Sequence, residues 1–320
     1  MRPPFLCLEP SRFCAAKGDD PATGPLVSFL PSLRFSTMIC SIRFRPLAAL
    51  AVCLIGSAAQ ADLFPDKNLE AAVRQQVLAK RDKPEPLVAE DVANVSTVVG
   101  KGKAIKSLAG LEACKALASL ELDNNEIADL APLAQLKSLQ LLSLANNKIA
   151  SIAPLAELAT LQYLNLSGNE VADLAPLAKL VSLNSLYLGK NKIADVTPVA
   201  GLKKLWSLYI DENQIADIKP LAALTGLSTF SAKGNQIADL APLAEMKVRN
   251  LYFLDNNKIV DLAPLVALAK ADAEQGKSLT PFWRIWLSGN PLSEAAKNEQ
   301  VPALKQLGAK VELEPPAAGK

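Results

Sequence analysis

LQYLNLSGNEVADLAPLAKL, residues 161–180, decides the fold. Its apolar positions are Leu161, Leu164, Leu166, Val171, Leu174, Leu177 and Leu180, which follow neither a helical period nor an unbroken alternation. Leu164-x-Leu166 alternates as a short strand does, with both leucines on one face. Asp173 and Pro176 then announce a turn of helical character, since Asp caps and Pro suits an early helical position that needs no N–H. Asn169 stands between the two. Its carboxamide can turn inward and satisfy backbone groups that a sharp bend leaves unpaired.

The same frame extends outward in both directions. Asn recurs at 125, 147, 169, 191, 213, 235 and 257, always 22 residues apart, within L-x-x-L-x-L-x-x-N-x-I-x-D-L-x-P-L-x-x-L. The Asp column is 129, 173, 195, 217, 239 and 261, with Ser151 in the second copy. A last copy ends at Asn290 after 33 residues, and a degenerate first copy surrounds Val98, Ile105, Leu108 and Leu111, with Lys103 in the Asn column. About seven apolar side chains per copy turn inward, and at ~1.5–3 kcal/mol each a copy gains roughly 10–20 kcal/mol before entropy is subtracted. No copy can bury that face alone, so the copies must stack.

These residues resemble the leucine-rich-repeat family, in the 22-residue class shared by bacterial internalin-like proteins and the phosphatase-regulator type. The resemblance runs from Val95 to about Leu292 and implies an α/β solenoid of about nine rungs. That is a right-handed superhelix with a parallel β-sheet on the concave face, short 3₁₀ or α turns on the convex face, and helical caps. FPDKNLEAAVRQ, residues 64–75, is similar to the N-terminal cap of internalin-like proteins. Residues 62–94 are assigned to that cap, with one helix over 66–78 and a short one over 89–94. Residues 293–320 are read as a C-terminal capping helix and tail. The eleven extra residues of the last copy fall near 269–280 and lengthen a convex-side helix and its loop.

Ahead of the cap the chain reads as a targeting segment. Arg43 and Arg45 precede an uncharged, mostly apolar run over 46–59, and Ala59-Gln60-Ala61 is a small-x-small cleavage site. Residues 38–61 are therefore expected to be a signal peptide cut after Ala61, which directs the chain to the periplasm or outside the cell. Residues 1–37 are either a mis-assigned start upstream of Met38 or a disordered leader. Cleavage removes Cys7, Cys14, Cys40 and Cys53 and leaves only Cys114, in a column otherwise filled by Leu136, Leu158 and Leu180. It also takes away six basic and three acidic side chains, leaving 28 against 29. No attraction to anionic membranes or nucleic acid follows from such a balance.

Catalysis finds little footing. The chain has no His, which removes the commonest general base and metal ligand. It carries no P-loop, dinucleotide fingerprint or Cys/His metal cluster. The expectation is a non-enzyme without cofactor or metal.

Binding belongs on the concave face, where residues flanking the inward strand leucines are free of the core's demands. Aromatics are only 5% of the chain. Even so, Tyr187, Tyr209, Phe253 and Trp286 share the middle concave column, Tyr163 and Arg284 stand in the column before it, and Trp206 lies near the rim. Such a stripe has the makeup of an interface hot spot, although aromatics also favour strands and pack on one another. The expected function is an exported, monomeric protein-binding module. An envelope protein that self-associates through the stripe, or a glycan-binding accessory, are the alternatives.

Overall fold

The computed structural model describes residues 62–246, 248, 251–276 and 279–314. The leader, the signal segment and residues 315–320 lie outside the described residues. Ten short strands among them form one parallel sheet in chain order. They are β1 (Thr97–Val99), β2 (Ser119–Glu121), β3 (Leu141–Ser143), β4 (Tyr163–Asn165), β5 (Ser185–Tyr187), β6 (Ser207–Tyr209), β7 (Thr229–Ser231), β8 (Leu251–Phe253), β9 (Arg284–Trp286) and β10 (Lys310–Glu312). Strand follows strand in unbroken register: Leu164 faces Leu186, Leu186 faces Leu208, and Tyr187 faces Tyr209. The chain is a leucine-rich-repeat solenoid, with this sheet on its concave side and short turns on its convex side.

Each repeat column does one physical job. The strand leucines and the leucines of the turns stack into a single continuous core from Phe64 to Val311. Convex turns such as Ala153–Leu155 and Ala175–Lys179 are 3₁₀ helices with Pro in their first positions. The Asp column caps them: Asp129, Asp173, Asp195, Asp217, Asp239 and Asp261 each accept a bond from the backbone N–H two residues on, at 2.8–3.1 Å. Ser151 makes the same contact at 3.5 Å. Toward the C-terminus the turns become α-helical, as α3 (Ala241–Met246) and the longer α4 (Ala263–Glu274). The expanded last copy lies in α4 and the loop after it. Asp272, buried, holds that loop by accepting from the Leu279 and Thr280 N–H groups and the Thr280 hydroxyl.

The Asn column is a ladder. The Asn169 amide donates to Leu166 O and to Leu144 O of the preceding rung, both at 2.9 Å, and its oxygen accepts from Ile149 N at 3.0 Å. The same three links recur at Asn125, Asn147, Asn191, Asn213, Asn235 and Asn257. Asn290 closes the series across the insertion, donating to Leu254 O and Leu287 O and accepting from Ile259 N.

The caps differ from the sequence reading in detail. The first helix, α1 (Lys67–Arg74), stops short of residue 78, and a separate 3₁₀ turn covers Leu78–Lys80. The Arg74 guanidinium folds back onto the carbonyls of Lys80, Lys83 and Glu85 at 2.9–3.1 Å, which organises the turn instead of a further helical turn. The second helix is α2 (Ala89–Val92). At the other end a π-helical stretch, Ala296–Gln300, runs into α5 (Val301–Gln306). Within the stretch 293–320, read as capping helix and tail, Lys310–Glu312 instead adds the tenth strand: β10 pairs with β9, and Val311 enters the core.

Candidate functional site

The candidate site is the concave face, and its shape follows from the register. With strands ~4.8 Å apart, equivalent side chains of adjacent rungs must touch if they are large. Tyr187 and Tyr209 stack with centroids 4.7 Å apart and planes 10° from parallel. Tyr163, one rung earlier, leans on Tyr187 at 5.3 Å and 39°. Phe253 and Trp286 form a second stack, at 4.4 Å and 10°. Ser231 of β7 separates the two groups. Arg284 is exposed at the C-terminal end. Trp206, at 57% exposure, joins none of these ring contacts; its backbone instead links Asn184 and Ser228. The structure therefore brings five of the seven candidate residues into two stacks rather than one continuous stripe.

All five ring residues are half-buried in strand positions whose inward neighbours are core residues. Burial pushes the Tyr163 and Tyr209 phenols above their ordinary range, so both present neutral hydroxyls that can donate and accept. The N-terminal half of the face is polar instead. Lys101 is held by Glu121 at 2.5 Å and Asp123 at 3.2 Å.

A repeated polar clasp underlies the face and escaped the sequence reading. The Ser143 hydroxyl donates to Asp123 Oδ1 at 2.5 Å, and Ala145 N–H donates to the same oxygen. Four rungs on, the Ser231 hydroxyl and Lys233 N–H bind Asp211 Oδ1 in the same way. An Asp followed twenty residues later by a Ser was the available signal. Burial pushes the Asp211 carboxyl up, against the pull of Ser231 and Lys233. Two further aromatics, Tyr252 and Trp283, replace core aliphatics. They are fully buried edge to face at 5.6 Å, and both donate to Val248 O.

Among the described residues no group of three His, Cys, Asp or Glu side chains is placed to hold a metal ion. Burial pushes the Cys114 thiol up to about 12, leaving a protonated, inert side chain. No helix of the described residues is long and apolar enough to cross a membrane.

Comparison with known proteins agrees with this geometry. The leucine rich repeat family matches residues 115–171, and a two-copy leucine rich repeat family matches residues 159–204. An internalin of Listeria monocytogenes, InlF, is 33% identical with a TM-score of 0.62, over 78% of this chain and 76% of that one. Internalin C2 of the same organism is 31% identical with a TM-score of 0.59, over 64% of this chain and 91% of its own. No curated protein sequence matches the chain. With the 22-residue frame, the Asn ladder and this degree of identity together, the chain belongs to the internalin-like leucine-rich-repeat family.

Proposed function

We propose that the chain is an exported protein-binding module whose partner docks on the C-terminal half of the concave face. The observation that carries this reading is the pair of aromatic stacks, Tyr163–Tyr187–Tyr209 and Phe253–Trp286, on the one face of the repeat that the core leaves free. Stacked rings on a rigid sheet lose little entropy when a partner covers them. Tyr, Trp and Arg are also the residues in which binding energy concentrates. Arg284 ends the surface, and Trp206 extends it toward the rim.

The stacking favours a protein over a glycan as partner. Where rings stack, Tyr187 on Tyr209 and Phe253 on Trp286, the faces turned toward one another are covered, whereas a sugar ring needs an open aromatic face to lie on. Export rests on the charged, apolar and small-residue pattern over 38–61. It predicts a mature N-terminus at Asp62, which mass spectrometry of the exported protein reads directly; a mature chain that retains residues 1–37 overturns it.

A pull-down from envelope or host extracts with the exported protein, beside a Tyr187→Ala/Tyr209→Ala variant, tests the binding face. The expected outcome is a protein retained by the wild type and lost from the variant. Sedimentation that depends on concentration, and that the same variant abolishes, would instead assign the stripe to self-association.

A further inference from the structure

The concave face holds an ammonium of its own near its N-terminal end. The Lys101 Nζ lies 2.5 Å from Glu121 Oε2 and 3.2 Å from Asp123 Oδ2. The other oxygen, Asp123 Oδ1, accepts from the Ser143 hydroxyl and the Ala145 N–H of the next rung. The carboxylate is thus served from both sides, by a lysine of the rung before and a clasp of the rung after.

Four rungs on, Gly189, Tyr209, Asp211 and Ser231 stand where Lys101, Glu121, Asp123 and Ser143 stand. Asp211 keeps the clasp, with Oδ1 accepting from the Ser231 hydroxyl and the Lys233 N–H. The rung before supplies no ammonium, because Gly189 has no side chain. Asp211 Oδ2 makes no hydrogen bond or ion pair with the described residues. No buried side-chain oxygen among them lacks a partner, so Oδ2 opens on solvent. The backbone does not call for glycine here. The φ of Gly189 is not left-handed, and an added Cβ would lie 3.5 Å or more from its neighbours. What the glycine does is leave the approach to Asp211 Oδ2 open.

The charges nearby do not close that approach. The Lys190 ammonium faces Glu212, 3.9 Å away. Lys233 is exposed in the same column, between Asp211 and Asp255, and makes no ion pair with the described residues. Asp255 is buried and accepts through Oδ1 from the Ser288 N–H at 2.9 Å. Two carboxylates therefore share one cation that bonds to neither, and burial pushes both carboxyls up. A carboxylate held in this way is stabilised when a further cation reaches it.

We infer that the partner protein lays a lysine side chain over Gly189, with its ammonium on Asp211 Oδ2 and its methylene stem along Tyr209. The inference rests on the concave-face reading above and adds to it the chemistry of one partner residue. Lys101 on Asp123 is the pattern for the contact. Tyr209 replaces the second carboxylate of that pattern, Glu121, with apolar surface, which suits the stem of a long cationic side chain. One open oxygen fits the point charge of an ammonium, whereas the fork of a guanidinium is matched by two.

The test is an amide-resolved NMR titration of the purified protein with the peptide N-acetyl-Gly-Lys-Gly-amide, run beside the same peptide with uncharged norleucine for lysine. The lysine peptide is expected to shift residues 189 and 209–212 saturably, and the norleucine peptide to bind about tenfold more weakly or worse. Asp211→Asn keeps an acceptor for the clasp and should lose about tenfold or more for the lysine peptide. Gly189→Lys supplies the ammonium from within, so it should abolish binding with a melting temperature no lower than wild type. Lys101→Gly should open a second lysine site, seen as new shifts at residues 121–123. Equal binding of the two peptides, unchanged binding by Asp211→Asn or Gly189→Lys, or no second site in Lys101→Gly would each overturn the assignment. A partner retained in the pull-down without any binding of the lysine peptide would overturn this site alone. Binding of the lysine peptide with no retained partner would overturn the concave-face reading alone.

Discussion

Each ladder Asn fastens three backbone groups that no strand or turn can reach. Asn169→Ala orphans Ile149 N inside the core and takes one of two donors from Leu144 O and Leu166 O, which Asn147 and Asn191 still serve. Its expected destabilisation is about 1–3 kcal/mol, the usual result of orphaning buried polar groups. Asn165, four positions earlier on the concave face, accepts from Ser167 N at 3.1 Å and shares a hydrogen bond with the neighbouring Tyr163 side chain, both at the half-buried surface, so Asn165→Ala should lose under about 0.5 kcal/mol. Equal losses in a urea titration would refute the ladder's role. Asp211 tests the opposite situation, a charge that burial disfavours. Its folded-state value lies above the ordinary one, so ionisation opposes folding, and this stability is present below the unfolded value and lost as pH rises through the folded value. Asp211→Asn keeps an acceptor for Ser231 and Lys233 N–H while removing the charge. It should therefore raise stability at neutral pH, and the difference from wild type should vanish in acid; a variant less stable than wild type at neutral pH contradicts this. The ladder was legible because its period is fixed. The Asp211–Ser231 clasp was not, because it recurs only where Asp and Ser happen to fall twenty residues apart.

At the scale of elements, strands and turns could be read from the sequence wherever the 22-residue frame held, and the differences gather where it lapses. Leucine spacing cannot indicate that Arg74 will end α1 by binding three carbonyls of the following loop. Nor can it find β10, whose Lys-Val-Glu lacks the repeat frame and becomes a strand only because β9 offers an edge. The N-terminal cap has a more specific fastening than its N-cap residue implied. Asp66 Oδ1 accepts from Asn68 N and Leu69 N, and Oδ2 from Lys106 N at 2.7 Å and Ser107 N at 3.1 Å, joining α1 to the first rung. Burial alone would push its carboxyl up; these four donors overcome that and hold it below the ordinary value. Asp66→Ala should accordingly destabilise by about 2 kcal/mol or more, at or beyond the upper end of an ordinary capping residue. Because the folded value is depressed, the contribution of Asp66 is present above the unfolded value and lost as pH falls through the folded one. The gap between wild type and Asp66→Ala should therefore narrow in acid, and a gap that stays constant in thermal melts from neutral to acid pH would exclude the carboxylate as its source.

Across the whole molecule the solenoid separates two jobs that compact domains mix. Inward columns carry the apolar core, and outward concave columns are free of its demands for Leu, though their cross-rung contacts still bear on stability. From the sequence the aromatic stripe read as a single feature of either binding or packing. The structure divides it at Ser231 and stacks the rings on each side, so packing and exposure coexist in the same residues. Tyr187→Ala removes contacts with both Tyr163 and Tyr209, and aromatic pairs contribute ~0.5–1.5 kcal/mol beyond their area. A modest fall in stability is therefore expected, well below the ~2–5 kcal/mol of a core truncation such as Leu186→Ala. Binding should fall further than stability does, by ~2 kcal/mol or more for a hot-spot ring. The division at Ser231 sharpens the test. Tyr187→Ala and Tyr209→Ala touch one another, so their effects on affinity should not add. Tyr187→Ala and Trp286→Ala lie in different stacks four strands apart and should add to within about 0.5 kcal/mol if one partner spans both. A loss on Tyr187→Ala alone confines the partner to the tyrosine stack. A loss of stability as large as that of Leu186→Ala makes the rings structural. Affinity unchanged in every variant moves the partner off the concave face.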